Sequence, residues 1–210
     1  DNKELSEKKI DSVIELYSNG KFSEALNSIE LLFEDHPNES LLFNIRGACY
    51  AALGQPEDAI KNYKDALSIK PDYSDASYNL GNAFKDLGHL EEAVKSYKKT
   101  IAIEPNYHAA QHNLGVTLQE LGLFNDAAEQ YEQALNIKPD NIEARINLGF
   151  VYQSLGQLEE AVEQYDSILS IYPENVETLN NLGIIYRELG HSDEAISYYK
   201  KALEINPDFA

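Results

Sequence analysis

Four asparagines recur at one constant interval along the chain, so their amide groups could form a regular series of hydrogen bonds. They are Asn79, Asn113, Asn147 and Asn181. A primary amide carries donors and an acceptor, so it can hydrogen-bond to both the N–H and the C=O of a peptide backbone. Each such bond contributes on the order of 1 kcal/mol net. A row of these side chains therefore favours contact with an extended chain, held without reading its sequence.

No pattern typical of a catalytic, metal or nucleotide site accompanies the asparagines. The glycine spacing cannot form GxGxxG or a P-loop, and GxSxG does not occur. His108 and His112 are four residues apart, which suits a metal, but only Ala-Ala-Gln lies between them and no third ligand is apparent. A surface histidine pair is the default interpretation. No pair of carboxylates is set apart for acid–base catalysis. We therefore predict no catalytic residue, no metal and no cofactor, and a protein that is not an enzyme.

Glycines and prolines reveal an internal repeat. After Gly20, the glycines alternate strictly between a long and a short spacing, and six of the seven prolines, at 37, 71, 105, 139, 173 and 207, are evenly spaced. A constant period in the range of about 20 to 50 residues indicates stacked structural repeats. The repeats are 6–39, 40–73, 74–107, 108–141, 142–175 and 176–209. Within each repeat we number the positions 1 to 34.

Each repeat has the pattern of two helices, A and B. In the third repeat, Leu80, Ala83, Phe84 and Leu87 recur at helical spacing, and Ala93, Val94, Tyr97 and Ile101 do the same. Gly88 is predicted to stop helix A, and Pro105 to end helix B. Pro56 fits the first turn of a helix B. The predicted caps of the next helix A are Asn38, Asp72, Asn106 and Asp140, the last forming a capping box with Glu143. The small Gly81 and Ala93 suggest that helices A and B approach closely.

The repeat resembles the tetratricopeptide repeat. The pattern in the third repeat comprises Leu80, Gly81, Phe84, Ala93, Tyr97, Thr100 and Pro105, although the usual tryptophan near position 4 is absent. The resemblance implies an all-α fold: a right-handed α–α superhelix, or solenoid, of six helix–turn–helix repeats. We expect residues 1–210 to form a single solenoid domain.

The resemblance also implies that helices A line an inner, concave face. Positions 2, 5, 6, 9, 12 and 13 would face inward. The asparagines at position 6 would then form a ladder, similar to that of the O-GlcNAc transferase and SPINDLY type of repeat. The predicted peptide-binding residues are Asn79, Asn113, Asn147 and Asn181 with Asn82, Lys85, His112, Phe150 and Arg187. Alternatively, the asparagines are inherited residues that cap or space the repeats.

The remaining inner positions indicate the kind of ligand. Val116, Phe150 and Ile184 form an apolar stripe that could instead be partly buried by the neighbouring repeat. Position 2 is acidic or neutral, so the lysine and arginine cluster that holds a C-terminal carboxylate in chaperone-binding relatives is missing. The acidic walls favour a neutral or basic peptide.

Composition limits the other partners. Lys and Arg number 17 against 36 Asp and Glu, a net charge of −19, which argues against nucleic acid and anionic membranes. No apolar run approaches the roughly 18 residues of a membrane span, and no signal peptide is evident, so a cytoplasmic location is favoured. The single cysteine, Cys49, excludes an internal disulfide and is expected to be a buried core residue.

The two ends suggest how the repeats are used. Repeat one departs from the pattern and has a more polar helix A, as an N-terminal cap should. No polar helix follows Pro207, so Leu203, Ile205 and Phe209 are expected to be exposed. We interpret the chain as a module of a longer protein that binds an extended peptide or protein segment. The alternatives are a substrate-targeting arm of a larger glycosyl- or sulfotransferase, and a scaffold that self-associates through its uncapped end, as in magnetosome-associated repeat proteins.

Overall fold

The computed structural model describes the backbone of residues 2–208 and the side chains of residues 8–208. Residues 2–208 form twelve α-helices and no β-strand. In chain order the helices are α1 Asn2–Ser18, α2 Phe22–Asp35, α3 Ser40–Ala52, α4 Pro56–Ile69, α5 Ser74–Asp86, α6 Leu90–Ile103, α7 His108–Glu120, α8 Phe124–Ile137, α9 Ile142–Ser154, α10 Leu158–Leu169, α11 Val176–Glu188 and α12 Ser192–Ile205. Odd-numbered helices are the predicted helices A and even-numbered ones the helices B. The all-α architecture of six helix–turn–helix repeats is confirmed.

Within each repeat, a glycine in the left-handed backbone conformation joins helix A to helix B. Gly88 has a φ of 73°. Its N–H donates to the carbonyl of Lys85 (2.8 Å), and the N–H of His89 donates to that of Phe84 (2.9 Å), which satisfies the last carbonyls of α5. Glycine adopts this backbone conformation without the steric strain that a side chain would add. The predicted helix stop is confirmed.

Prolines mark the ends and starts of helices B as predicted. Pro56 is the first residue of α4, where its missing N–H breaks no hydrogen bond. α6 ends at Ile103, two residues before Pro105. Both predictions are confirmed.

The predicted caps of helices A are wrong by one residue. α9 is capped by Asn141, whose Oδ1 accepts a hydrogen bond from the Ala144 N–H (3.1 Å), so Asp140 and Glu143 do not form the capping box. The N–H of Asn141 also donates to the carbonyl of Lys138 (3.2 Å), and this turn includes both Pro139 and Asp140. For the same reason the residues before α3 and α5 are Glu39 and Tyr73 rather than Asn38 and Asp72. Asn106 likewise lies two residues before the start of α7.

The chain divides into two compact units, which are described separately. The first extends to Ala110 and the second starts at Gln111. In the first unit, Val13, Ile29 and Cys49 belong to one apolar cluster, and Cys49 is fully buried as predicted. In the second unit, α9 to α12 enclose a cluster that includes Tyr165, Ile168 and Leu182. The single-domain organisation stays a prediction.

The space beside each glycine at position 8 is filled by a tyrosine ring. A Cβ built on Gly81 would lie 2.6 Å from Cε1 of Tyr97. The same relationship holds at Gly47, Gly115, Gly149 and Gly183, each with the tyrosine at position 24 of its own repeat. The glycine therefore makes room for a side chain of helix B, which refines the expected close approach of the two helices.

The apolar side chains near the end of α12 are exposed, as predicted from the sequence. Leu203 is 45% exposed and Ile205 is 42% exposed. Phe209 lies outside the described residues. Self-association through this end stays a prediction.

Candidate functional site

The second unit carries three of the four predicted ladder residues on its helices A. Asn113 lies on α7, Asn147 on α9 and Asn181 on α11, and all three are half-buried. We call this row the amide band. The exposed Arg187 lies in the last turn of α11.

Tyrosine rings of helices B lie beside two of these amides. The amide of Asn147 lowers the pKa of Tyr131 and that of Asn181 lowers the pKa of Tyr165, as expected when an amide N–H faces a tyrosine oxygen. The Tyr131 hydroxyl itself donates to Oε1 of Gln119 in its own repeat (3.1 Å). Both rings are almost completely buried. Each amide therefore has a buried tyrosine of the preceding repeat as its neighbour.

His112 also contacts the amide band. Its Nε2 lies 3.3 Å from Nδ2 of Asn147, and its ring lies 5.7 Å from that of Tyr131. Because an amide NH2 group can only donate, Nε2 of His112 is the acceptor. Nδ2 of Asn147 therefore donates to His112. Oδ1 of Asn147 has no hydrogen-bond partner among the described residues.

Burial dominates the electrostatics of the tyrosines. Burial, with a smaller contribution from the nearby Glu177 carboxylate, raises the pKa of Tyr165 to about 12, against the opposing effect of the Asn181 amide. The pKa of Tyr131 is also raised, first by burial and then by Glu143. Both hydroxyls therefore stay protonated near neutral pH.

Carboxylates flank the amide band on the same helices. Glu143 and Glu177 precede Asn147 and Asn181 by one helical turn and are exposed. Neither has an ion-pair partner among the described residues. We call this pair the acidic band.

Three residues after each amide lies an apolar side chain. Phe150 is 47% exposed, whereas Val116 and Ile184 are half-buried. We call these three residues the apolar band. The stripe predicted from sequence is therefore partly buried, and Phe150 is its most exposed member.

The first unit uses its candidate residues differently. Asn79 on α5 donates from Nδ2 to Oδ1 of Asn44 (3.1 Å), which is itself buried. Oδ1 of Asn82 accepts a hydrogen bond from the Tyr97 hydroxyl (2.7 Å). Lys85 is half-buried in the last turn of α5. Asn79 and Asn82 therefore both have polar partners inside this unit.

Sequence reasoning assigned the tyrosines at position 24 to packing and missed their hydroxyls. The sequence does contain a pattern that links these tyrosines to the ladder asparagines. Each of Tyr63, Tyr97, Tyr131 and Tyr165 is followed by a ladder asparagine at position 6 of the next repeat. Repeat one has Ile29 at position 24, and position 6 of the next repeat is then Ile45. Where the hydroxyl is absent, the amide is absent too.

Other parts of the second unit offer less. A surface cavity of about 450 Å³ lies between α8, α9 and α10, beside Arg145. The guanidinium of Arg145 already donates to Gln164 Oε1 (3.2 Å) and to the Pro139 carbonyl (2.8 Å).

In the described part of the chain, no group of three or more His, Cys, Asp or Glu side chains could hold a metal ion. Within residues 2–208, no helix has both the length and the apolarity to cross a membrane.

Family models match most of these repeats. One described as "TPR repeat" matches residues 47–88, 81–122 and 120–156, and one described as "Tetratricopeptide repeat" matches residues 140–208. The fold and its repeated helix A surface define a class of helical-repeat interaction proteins. The chain belongs to the tetratricopeptide repeat family, whose repeats form protein–protein interaction modules. Members of this family are typically non-catalytic.

Individual relatives match in part or in fold. A "Peroxisomal targeting signal receptor" of Kluyveromyces lactis is 36% identical over 64 residues, which are 30% of this chain and 11% of that receptor. A crystal structure of MamA aligns with a TM-score of 0.74 at 28% identity, covering 77% of this chain and 94% of the other. YrrB, described as a TPR protein with an unusual peptide-binding site, gives 0.79 at 21% identity, covering 86% and 93%.

Proposed function

We propose that the helix A surface binds an extended peptide through the ladder asparagines Asn79, Asn113, Asn147 and Asn181. The observation that carries the proposal is the arrangement of Asn147 in the half-buried row of amides on α7, α9 and α11. Its Nδ2 lies 3.3 Å from Nε2 of His112, and its Oδ1 has no partner among the described residues. A polar side chain that is fixed before binding loses little entropy when a ligand arrives. Oδ1 of Asn147, left without a partner, then accepts a hydrogen bond from a backbone N–H of the ligand.

The other predicted residues contribute within their own units. In the second unit, His112 contacts Asn147, Phe150 supplies exposed apolar surface and Arg187 adds a polar contact. In the first unit, Asn82 and Lys85 add polar contacts. The net charge of −19 favours a neutral or basic segment. The partial similarity to proteins named as targeting signal receptors agrees with a short segment as ligand.

The test compares two matched double variants. Peptides are selected from a random library with the wild-type chain, and their affinities are measured by fluorescence anisotropy. Replacing Asn147 and Asn181 by alanine should weaken binding at least about tenfold, the equivalent of losing one to two hydrogen bonds.

Asn125→Ala with Asn136→Ala removes two exposed amides from α8 in the same unit and serves as the control. Circular dichroism confirms that both variants remain helical. Equal affinities for the two variants would show that the ladder is structural and would remove the proposed function.

A further inference from the structure

The amide, acidic and apolar bands are parallel on the second unit, and their order sets a condition on the ligand. Along α9 the order is Glu143, Asn147, Phe150, and along α11 it is Glu177, Asn181, Ile184. These residues are four and three positions apart, so they share one face of each helix. The amide band lies between the other two.

The helices that carry the bands are linked across the surface. Asn147 of α9 reaches His112 of α7, and Nε2 of Gln153 on α9 donates to Oε1 of Glu188 on α11 (2.7 Å). A ligand that follows the amide band therefore crosses the helices rather than running along one of them.

An extended peptide places successive side chains on opposite sides of its backbone. Its N–H and C=O groups point at right angles to those side chains. When the backbone groups face the amide band, one set of alternate side chains points along the helix axes towards the acidic band. The other set points towards the apolar band.

We propose that the second unit is selective for an extended segment in which basic and apolar residues alternate. The basic side chains pair with Glu143 and Glu177, and the apolar ones cover Phe150. The inference rests on the proposed function, because the amide band must hold the backbone for the alternation to be read. The two carboxylates are exposed and have no ion-pair partner in the described residues, whereas Phe150 is 47% exposed, so both bands have contacts to offer.

The test uses four labelled peptides of equal length with the full chain. One alternates lysine and valine, one has the same composition in two blocks, one alternates glutamine and valine, and one alternates glutamate and valine. The lysine–valine alternation should bind about tenfold more tightly than the glutamine–valine alternation, which lacks both charge contacts. It should also bind more tightly than the block peptide, which has the same charge but cannot place all its lysines on one side of the backbone. The glutamate peptide should bind most weakly, and added salt should reduce the preference for lysine.

Two double variants test whether the acidic band is the source of the preference for lysine. Glu143→Gln with Glu177→Gln should shrink the affinity ratio between the lysine and glutamine peptides to near one. Glu159→Gln with Glu160→Gln makes the same charge change at exposed positions in the first turn of α10 and should preserve the ratio. A loss of equal size in both variants would mean general charge attraction and would overturn the inference.

The outcomes separate the inference from the function on which it rests. If the alternating and block peptides bind equally but Asn147→Ala with Asn181→Ala weakens both, the alternation is wrong and peptide binding stands. If none of the four peptides binds while the library yields ladder-dependent ligands, the alternation is again wrong. If the asparagine variant changes no affinity, both proposals fail.

Discussion

The ring of Tyr97 occupies the place where a side chain of Gly81 would begin. The distance from the would-be Cβ to Cε1 of the ring is 2.6 Å, shorter than any comfortable contact. In repeat one the glycine is replaced by Val13 and the tyrosine by Ile29, and both are fully buried. The two positions therefore share a fixed volume, and a larger residue at one accompanies a smaller residue at the other.

We predict that Gly81→Ala destabilises the protein. The ring of Tyr97 is fully buried and has little room to move, so overpacking should cost on the order of 1 to 3 kcal/mol. Urea unfolding followed by circular dichroism measures the change. Gly88→Asn is the control, because its surroundings are open and asparagine tolerates a positive φ. An unchanged midpoint for Gly81→Ala would contradict the shared volume.

The pair in repeat one predicts a rescue. Gly81→Val alone should be more destabilising than Gly81→Ala, because valine adds two methyl groups against the ring of Tyr97. Combined with Tyr97→Ile, it reproduces the Val13 and Ile29 pair. A double-mutant cycle should give a favourable coupling of about 1 kcal/mol or more. Strict additivity of the two changes would argue that the substitutions in repeat one are unrelated.

Adjacent residues test the corrected cap of α9. Asn141→Ala removes the acceptor of the Ala144 N–H and should cost about 1 kcal/mol. Asp140→Ala should have a much smaller effect, because Asp140 is an exposed turn residue outside the helix. Thermal unfolding of the two variants makes the comparison. The reverse order of stabilities would restore Asp140 as the cap.

Alkaline pH should destabilise the second unit through Tyr165. Its pKa is 10.0 in the unfolded chain and about 12 in the folded one, so between these values the unfolded state loses the proton first. Stability from this group is complete below pH 10 and is lost as pH rises towards about 12. Urea titrations across this range should show a shallower decline for Tyr165→Phe. Tyr172→Phe, which removes an exposed tyrosine hydroxyl, serves as the control.

Cys49 should resist alkylation until the protein unfolds. Burial raises the pKa of its thiol to about 11, and the side chain is fully buried, so the reactive thiolate is scarce and inaccessible at pH 8. Iodoacetamide labelling followed by mass spectrometry should be slow in buffer and fast in urea, with free glutathione as the reference thiol. Rapid labelling in buffer would mean that α3 opens readily.

Most of the fold could be predicted from the sequence because the repeat period is constant. Glycine and proline act through the local backbone, so the turn at Gly88 and the start of α4 at Pro56 were predictable. The caps were misplaced because the turn around Pro139 includes one more residue than the helix pattern shows. The tyrosine hydroxyls were missed because a buried ring already explains position 24. Which amide atoms of Asn147 are used depends on contacts between repeats, and no pattern within one repeat records them.

The position of Asn147 beside His112 and Tyr131 of the preceding repeat has a consequence for engineering. The surroundings of this amide extend across the boundary between two repeats, so they are out of phase with the structural repeat. A graft cut at the turns, such as 142–175, would import Asn147 without His112 and Tyr131. A longer cassette, from the start of α7 to the end of α9, would carry the amide together with both neighbours.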